Sequence, residues 1–104
     1  MNTHFVMNER LGIPLPCLLH PWEMLDYQEQ TAILEAWEHI RGRIPDRIYA
    51  LEKIIIHKQD ELYEEENFEV SCQLNSEIAE LASRINDLNL WYRTQQDIDV
   101  KIHH

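Results

Sequence analysis

One apolar pattern in the last third of the chain constrains the fold more than any other feature. Large apolar residues recur there at intervals of 4, 3, 4, 3 and 4 residues, namely Leu74, Ile78, Leu81, Ile85, Leu88 and Tyr92. This is nearly three heptads with both seam positions apolar, which is typical of a helix packed against another helix. Polar residues such as Asn75, Glu80 and Ser83 occupy most of the opposite side. The pattern predicts a helix over about 71–95.

A second amphipathic helix precedes this one. It opens at Pro45-Asp46, where a proline suits the first turn and an acid favours the positive end of the helix dipole. The run from Glu64 to Glu66 is unfavourable at a helix C-terminus, so the helix should end there. We predict a helix over about 46–66, with an apolar stripe interrupted at Lys58 and formed by Ile48, Leu51, Ile55 and Leu62.

The two helices could form one continuous rod of about 75 Å or an antiparallel hairpin. If the apolar stripe of the first helix continued at heptad spacing beyond Leu62, its next positions would be Glu69, Ser76 and Ser83, which are polar. This change of phase favours a hairpin with coiled-coil-like packing over the rod. The turn is expected near Asn67, with Ser71 capping the second helix of the pair.

The first half of the chain predicts a shorter helix and an extended segment. Asp26 followed by Glu29 resembles a capping box, and apolar residues then recur on one face, which indicates a helix over about 27–42. Prolines push the preceding residues out of the α region, so residues 1–20 should form an extended, apolar and partly mobile lead-in. We therefore expect a single helical domain over 21–96 and a C-terminal tail over 97–104, whose His103 and His104 indicate nothing further.

Composition favours an all-α fold and excludes several classes of partner. The chain has only two glycines, and neither glycine nor proline occurs after Pro45. A net charge of −10 provides no basic footprint for nucleic acid or for an anionic membrane. Apolar runs are too short to span a bilayer and no signal peptide is evident, which predicts a cytoplasmic protein. Cys17 and Cys72 are expected to be reduced and buried.

No arrangement of residues predicts catalysis, metal binding or a cofactor. Cys17 and His20 form a thiol–imidazole pair, but a zinc site needs a second such half-site and the sequence has none. His57 and Glu61 are four residues apart and can meet on one helix surface, which is the usual spacing of a solvated ion pair. With two glycines, no phosphate-binding loop can be built. The sequence therefore favours a non-enzymatic protein.

The segment Ser71-Cys72-Gln73-Leu74-Asn75-Ser76-Glu77-Ile78 resembles the signature of the small sporulation aspartyl-phosphate phosphatases. In that family a helical hairpin carries a Ser-Gln-Glu-Leu-Asp core on its second helix. Ser71 and Leu74 match the signature and Ile78 falls on the expected apolar position, whereas Cys72 and Gln73 differ. Asn75 stands where the family has its aspartate. The resemblance covers the last half of the chain and implies, as the alternative function, a phosphatase, a response-regulator antagonist or an inactive relative.

The favoured hypothesis is a protein–protein interaction or regulatory module that forms a homodimer, since two long helices and a shorter one leave apolar seams partly uncovered. The residues expected in the helix seam or dimer interface are Ile48, Leu51, Ile55, Leu62, Leu74, Ile78, Leu81, Ile85, Leu88 and Tyr92.

Two further features are candidate surfaces for a protein partner of unknown identity. The acidic run Glu64, Glu65 and Glu66 suits a basic partner surface, or it is a solvated charge run. Trp91 falls off the heptad seam, so it either contacts a partner or packs under the N-terminal segment.

Overall fold

Helices form most of the part of the chain that the computed structural model describes, residues 3–94. The elements are strands β1 (Phe5–Asn8) and β2 (Ile13–Pro16), a short 3-10 turn (Trp22–Met24), and helices α1 (Tyr27–Arg41), α2 (Ile44–Glu64) and α3 (Phe68–Tyr92). The predicted tail over 97–104, with His103 and His104, lies outside the described residues, as do residues 95–96 of the predicted domain.

The prediction of two long helices that pack against each other is confirmed. α2 and α3 are joined by a three-residue connection and make extensive contact along their length. The turn lies at Asn67, as expected, but the cap is Asn67 itself: its side-chain oxygen accepts a hydrogen bond from the Val70 backbone N–H at 3.1 Å. Ser71 lies inside α3, so its predicted capping role is wrong. Because the cap is four residues earlier, α3 begins before the predicted residue 71.

α1 and α2 together make one long, bent helical segment. Gly42 and Arg43 between them both keep right-handed helical angles, with φ of −64° and −92°. Pro45 lies in the first turn of α2 and supplies no backbone N–H. The bend therefore comes at the point where the hydrogen-bond pattern of α1 cannot continue into α2.

The prediction of an all-helical chain is wrong at the N-terminus, where a small sheet forms. β1 and β2 are antiparallel, with Phe5 opposite Pro16 and Asn8 opposite Ile13. The turn closes because the Gly12 N–H donates to the Asn8 carbonyl at 2.8 Å and the Leu11 N–H donates to Asn8 Oδ1 at 2.9 Å. The lead-in is extended as the prolines require, and pairing with β1 gives it the hydrogen bonds that a lone extended segment lacks.

The core lies where this β-hairpin and α1 meet the N-terminal end of α2 and the C-terminal end of α3, which we call the base of the α2–α3 pair. Trp37 of α1 is fully buried, and its ring meets Trp91 of α3 edge to face with the ring centroids 5.5 Å apart. The Trp37 indole N–H donates to the Thr94 carbonyl, which joins α1 to the end of α3. The other fully buried large side chains are Ile33, Ile44, Leu51 and Leu88.

Two arginines attach the β-hairpin to the helices. Arg10, in its turn, donates to Asp87 Oδ2 at 2.7 Å, to Ser83 Oγ at 2.8 Å and to Glu80 Oε1 at 3.1 Å, all on α3. Arg47 of α2 donates from Nε to the Leu11 carbonyl at 3.0 Å. The hairpin therefore rests on one side of the α2–α3 pair and leaves the other side uncovered by it.

Gly12→Ala is expected to lower the free energy of unfolding by ~1–3 kcal/mol, because Gly12 has φ +75° and an L side chain is strained there. A Cβ at this position would also lie 2.6 Å from Arg47 Nε. Urea denaturation followed by circular dichroism measures the loss. In an Arg47→Ala background the new Cβ no longer meets the Arg47 side chain, so Gly12→Ala should then cost only the backbone strain. An unchanged stability in both backgrounds would contradict the assigned turn geometry.

Candidate interaction surfaces

The residues predicted for the helix seam lie in three environments. Leu51, Leu74, Leu81 and Leu88 are buried, whereas Tyr92 is exposed. Between these extremes are the half-buried residues Ile48, Ile55, Leu62, Ile78 and Ile85. Leu51, Leu81 and Leu88 belong to the main core, and Ile48, Ile55 and Ile85 pack against it. The half-buried isoleucines, Leu62 and Tyr92 are therefore the seam residues with surface still open to a partner.

One side of the α2–α3 pair carries most of the charged contacts. Lys58 of α2 donates to Glu77 of α3 at 3.0 Å, and this hydrogen bond lowers the pKa of Glu77. Arg84 donates to Glu80 at 3.2 Å and, together with Arg10, lowers the pKa of Glu80. The β-hairpin is attached to this same side through Arg10.

The other side, which we call the neutral face, carries large apolar side chains at its centre and is bordered by Lys53 and Asp60, which lie three positions before and four positions after Ile56. Its centre is a shallow cleft of about 260 Å³ lined by Glu52, Ile55 and Ile56 of α2 and by Ala82 and Ile85 of α3. Residues three, four or seven positions away share the same side of each helix. We define the neutral face as the cleft residues together with the uncharged residues near them on this side: Tyr49, Glu52, Ile55, Ile56, Gln59 and Tyr63 of α2, and Ser71, Asn75, Ile78, Ala82, Ile85 and Asn89 of α3.

The exposure of its apolar residues distinguishes the neutral face from an ordinary helix surface. Tyr49, Ile56 and Tyr63 follow one another at heptad spacing and are all exposed, Ile56 by 58%. Among the charged residues of this side, Glu52 lines the cleft, and the Lys53 ammonium lies 4.6 Å from the centroid of the Tyr49 ring. Large apolar and aromatic side chains at the centre, with charged residues at the border, are the composition of a protein interface.

The connection between α2 and α3 forms an acidic tip with two aromatic rings. Tyr63 is 91% exposed and Phe68 is 80% exposed, one on each side of the connection. Glu64 and Glu66 are exposed, and Glu65 is half-buried and accepts a hydrogen bond from the Asn67 N–H at 3.0 Å. The sequence analysis missed Tyr63 and Phe68, although aromatic residues flanking an acid run off the apolar seam are a readable signal.

Trp91 is not part of this tip, because it lies near the opposite end of α3. It is half-buried, packs against the core and meets the ring of Trp37. The two predicted partner surfaces, the glutamates and Trp91, are therefore separate places on the molecule. The packing of Trp91 against Trp37 accounts for its position off the heptad seam.

The prediction that the two cysteines are buried is wrong, since Cys17 and Cys72 are both exposed and free. Cys72 is two residues before Leu74, which is about 200° around the helix from the buried seam. Cys17 directly follows β2, outside the paired strands. Within residues 3–94, no three acidic, histidine or cysteine side chains come together in a way that could hold a metal ion.

Three residues singled out for chemistry are placed on open surfaces. His57 and Glu61 form an ion pair at 3.2 Å on α2, and both side chains are at least half exposed. Asn75, at the position of the phosphatase aspartate, is exposed.

In the described range, no helix is long and apolar enough to cross a membrane.

Comparison with protein-family models, with curated proteins and with solved structures finds no significant match to this chain. The function is therefore argued from the residues and the geometry above.

Proposed function

We propose that this chain is a non-enzymatic, cytoplasmic protein–protein interaction module that forms a homodimer through the neutral face of α2 and α3. The observation that carries the proposal is the exposed heptad stripe Tyr49, Ile56 and Tyr63 beside half-buried Ile55 and Ile85. Large apolar side chains at this spacing are typical of a helix with a second packing partner.

A second copy of the chain suits this face because of the charge of the protein. Two copies with a net charge of −10 repel each other over most of their surfaces. The centre of the neutral face carries one carboxylate, Glu52, and the Lys53 cation beside Tyr49 offsets part of the repulsion, so two copies can approach each other there. In a two-fold dimer the same patch meets itself, and two helical pairs would then form a four-helix arrangement.

The size of the neutral face is sufficient for a specific dimer. α2 has 21 residues and is therefore about 30 Å long, and two adjacent helices are about 20 Å across. Each copy would bury roughly 600 Å² and the pair roughly 1,200 Å², which is the lower end of the range for specific interfaces. Such a dimer would be of moderate strength and dependent on concentration.

Ile56→Glu is expected to convert the dimer to a monomer, because it places a carboxylate at the centre of the neutral face of each copy. Light scattering over a concentration series should give about 25 kDa for the parent chain, twice the 12.5 kDa of one copy. The variant should give 12.5 kDa at the same concentrations.

Ile54→Glu is the matched control for this experiment. Ile54 is also exposed on α2, but it lies beside Lys58 and Arg84 on the charged side of the pair. This variant carries the same change of charge and should remain dimeric. A parent chain that is monomeric throughout, or two variants that dissociate equally, would contradict the proposal.

The acidic tip is the surface of this module that suits a different protein. Exposed Tyr63 and Phe68 provide aromatic groups of the kind that dominate interface energies, and Glu64 and Glu66 surround them with negative charge. A partner with an apolar pocket rimmed by lysine or arginine fits this combination, since its cations would pair with the glutamates and stack on the rings.

The alternative function, a hairpin phosphatase or response-regulator antagonist, has less support. Asn75 is exposed, but its amide cannot act as the carboxylate that the resemblance requires at that position.

A further inference from the structure

A groove of about 690 Å³ lies between the β-hairpin and the junction of α1 and α2. Its walls are mainly apolar and include Phe5, Met7, Ile13, Pro14, Ala36 and Ile40. Four polar side chains also line it: His39, Arg43, Asp46 and Arg47. A cavity of this volume, apolar with a few polar groups, is typical of sites for small organic ligands.

Four cations within residues 3–94 form no salt bridge with a carboxylate: Arg43 and Arg47, which line the groove, and Lys53 and Arg93, which do not. Among the described residues, Arg10, Arg41, Lys58 and Arg84 each form a salt bridge with a carboxylate. In the same range, Arg43 and Arg47 form none. Two guanidinium groups without carboxylate partners thus line one groove of a protein with a net charge of −10.

Arg47 is held in position before any ligand arrives. Its Nε donates to the Leu11 carbonyl at 3.0 Å, and its guanidinium packs against the backbone of Gly12. The terminal nitrogens form no hydrogen bond within residues 3–94, so they keep their donors available. A planar guanidinium fixed in this way suits a carboxylate, which accepts two hydrogen bonds from it.

We propose that this groove binds a free anionic amphiphile, an aliphatic chain that ends in one carboxylate. The aliphatic chain lies against Met7, Ile13 and Ile40, and the carboxylate meets Arg43 and Arg47. Asp46 disfavours a second negative charge on the ligand, which argues for a monoanion. The net charge of −10 repels an anionic bilayer, so the ligand is a free molecule rather than a lipid held in a membrane.

The test uses dodecanoate, below the concentration at which it forms micelles, added to the full chain labelled at its methionine methyl groups. The Met7 methyl lines the groove, and Met24 is exposed outside it, so the two resonances report specific and nonspecific binding in one titration. We expect a saturable shift at Met7 and none at Met24. Equal shifts at both methionines would overturn the proposal.

Arg43→Gln is expected to weaken dodecanoate binding about tenfold, since it removes one charge-assisted contact. Arg43 is exposed, so its replacement leaves the fold intact. Arg93→Gln removes the same charge from an exposed arginine that does not line the groove, and it should bind as the parent does. Equal affinity of the parent and the Arg43 variant would contradict the assignment.

Two further probes separate the possible ligands. Dodecyltrimethylammonium has the same aliphatic chain with a positive head, and it should bind at least tenfold more weakly than dodecanoate. The protein should not co-sediment with phosphatidylglycerol vesicles. Equal binding of the cationic probe, or sedimentation with vesicles that depends on Arg43, would overturn the proposal.

This inference is independent of the dimer. The groove residues Arg43 and Arg47 lie on the opposite side of α2 from Glu52 and Ile56, which are nine positions later in each case. Ile56→Glu should therefore shift the molar mass and leave dodecanoate binding unchanged, so failure of either proposal can be recognised without the other.

Discussion

Trp37→Ala is expected to remove ~3–5 kcal/mol from the free energy of unfolding, a large part of the 5–15 kcal/mol typical of a domain. Trp37 is fully buried, and its ring contacts that of Trp91 at 5.5 Å between centroids. The substitution leaves a cavity between α1 and α3 and takes away the donor to the Thr94 carbonyl. Urea denaturation followed by circular dichroism measures the change.

Two other variants show how the effect at Trp37 arises. Trp37→Phe keeps an aromatic ring and loses the indole donor, so it should cost less than half as much as the alanine variant. Tyr27→Ala also removes an aromatic ring from α1, but Tyr27 is exposed and its loss should be nearly neutral. Equal losses from Trp37 and Tyr27 would show that Trp37 is not the centre of the core.

Leu51→Ala is expected to destabilise the protein by ~2–5 kcal/mol, because Leu51 is fully buried at the base of the α2–α3 seam. α1 and the β-hairpin also meet α2 and α3 in that region, so a cavity there weakens several contacts at once. The same urea titration, carried out at one fixed protein concentration, gives the loss.

Ile54→Ala is the control for Leu51→Ala. Ile54 is on the same helix and has the same number of carbon atoms, but it is exposed and lies outside the proposed dimer face. Its replacement should cost less than 1 kcal/mol. A loss at Ile54 as large as that at Leu51 would mean that α2 packs on α3 through a different side.

The long helices could be predicted because their determinants are local. The apolar positions from Leu74 to Leu88 repeat at helical spacing, and any helix that buries them must have this phase. The change of phase after Leu62 and the capping side chain of Asn67 likewise act over a few residues. For the same reason the exposed position of Cys72 could have been inferred, since it lies on the side of α3 away from Leu74 and Leu81.

The β-hairpin was missed because its strands are short and contain prolines, which lower the strand signal. Asn8 and Gly12 are nevertheless residue types that indicate a turn. The Asn8 side chain accepts a hydrogen bond from the Leu11 N–H, and Gly12 has a positive φ. Extension and pairing are different properties, and Pro14 and Pro16 predict the first but not the second.

The sequence by itself determined that α2 and α3 are amphipathic and where the chain turns between them. Only the tertiary structure decided which side of the pair remains open. The β-hairpin rests on α3 through Arg10, which meets Glu80 and Asp87, 70 and 77 positions later in the chain. A contact between residues so far apart has no local pattern that reveals it. Because the β-hairpin is held on that side, the neutral face stays uncovered by it. The groove lies between the same hairpin and the junction of α1 and α2, where Arg47 donates to the Leu11 carbonyl.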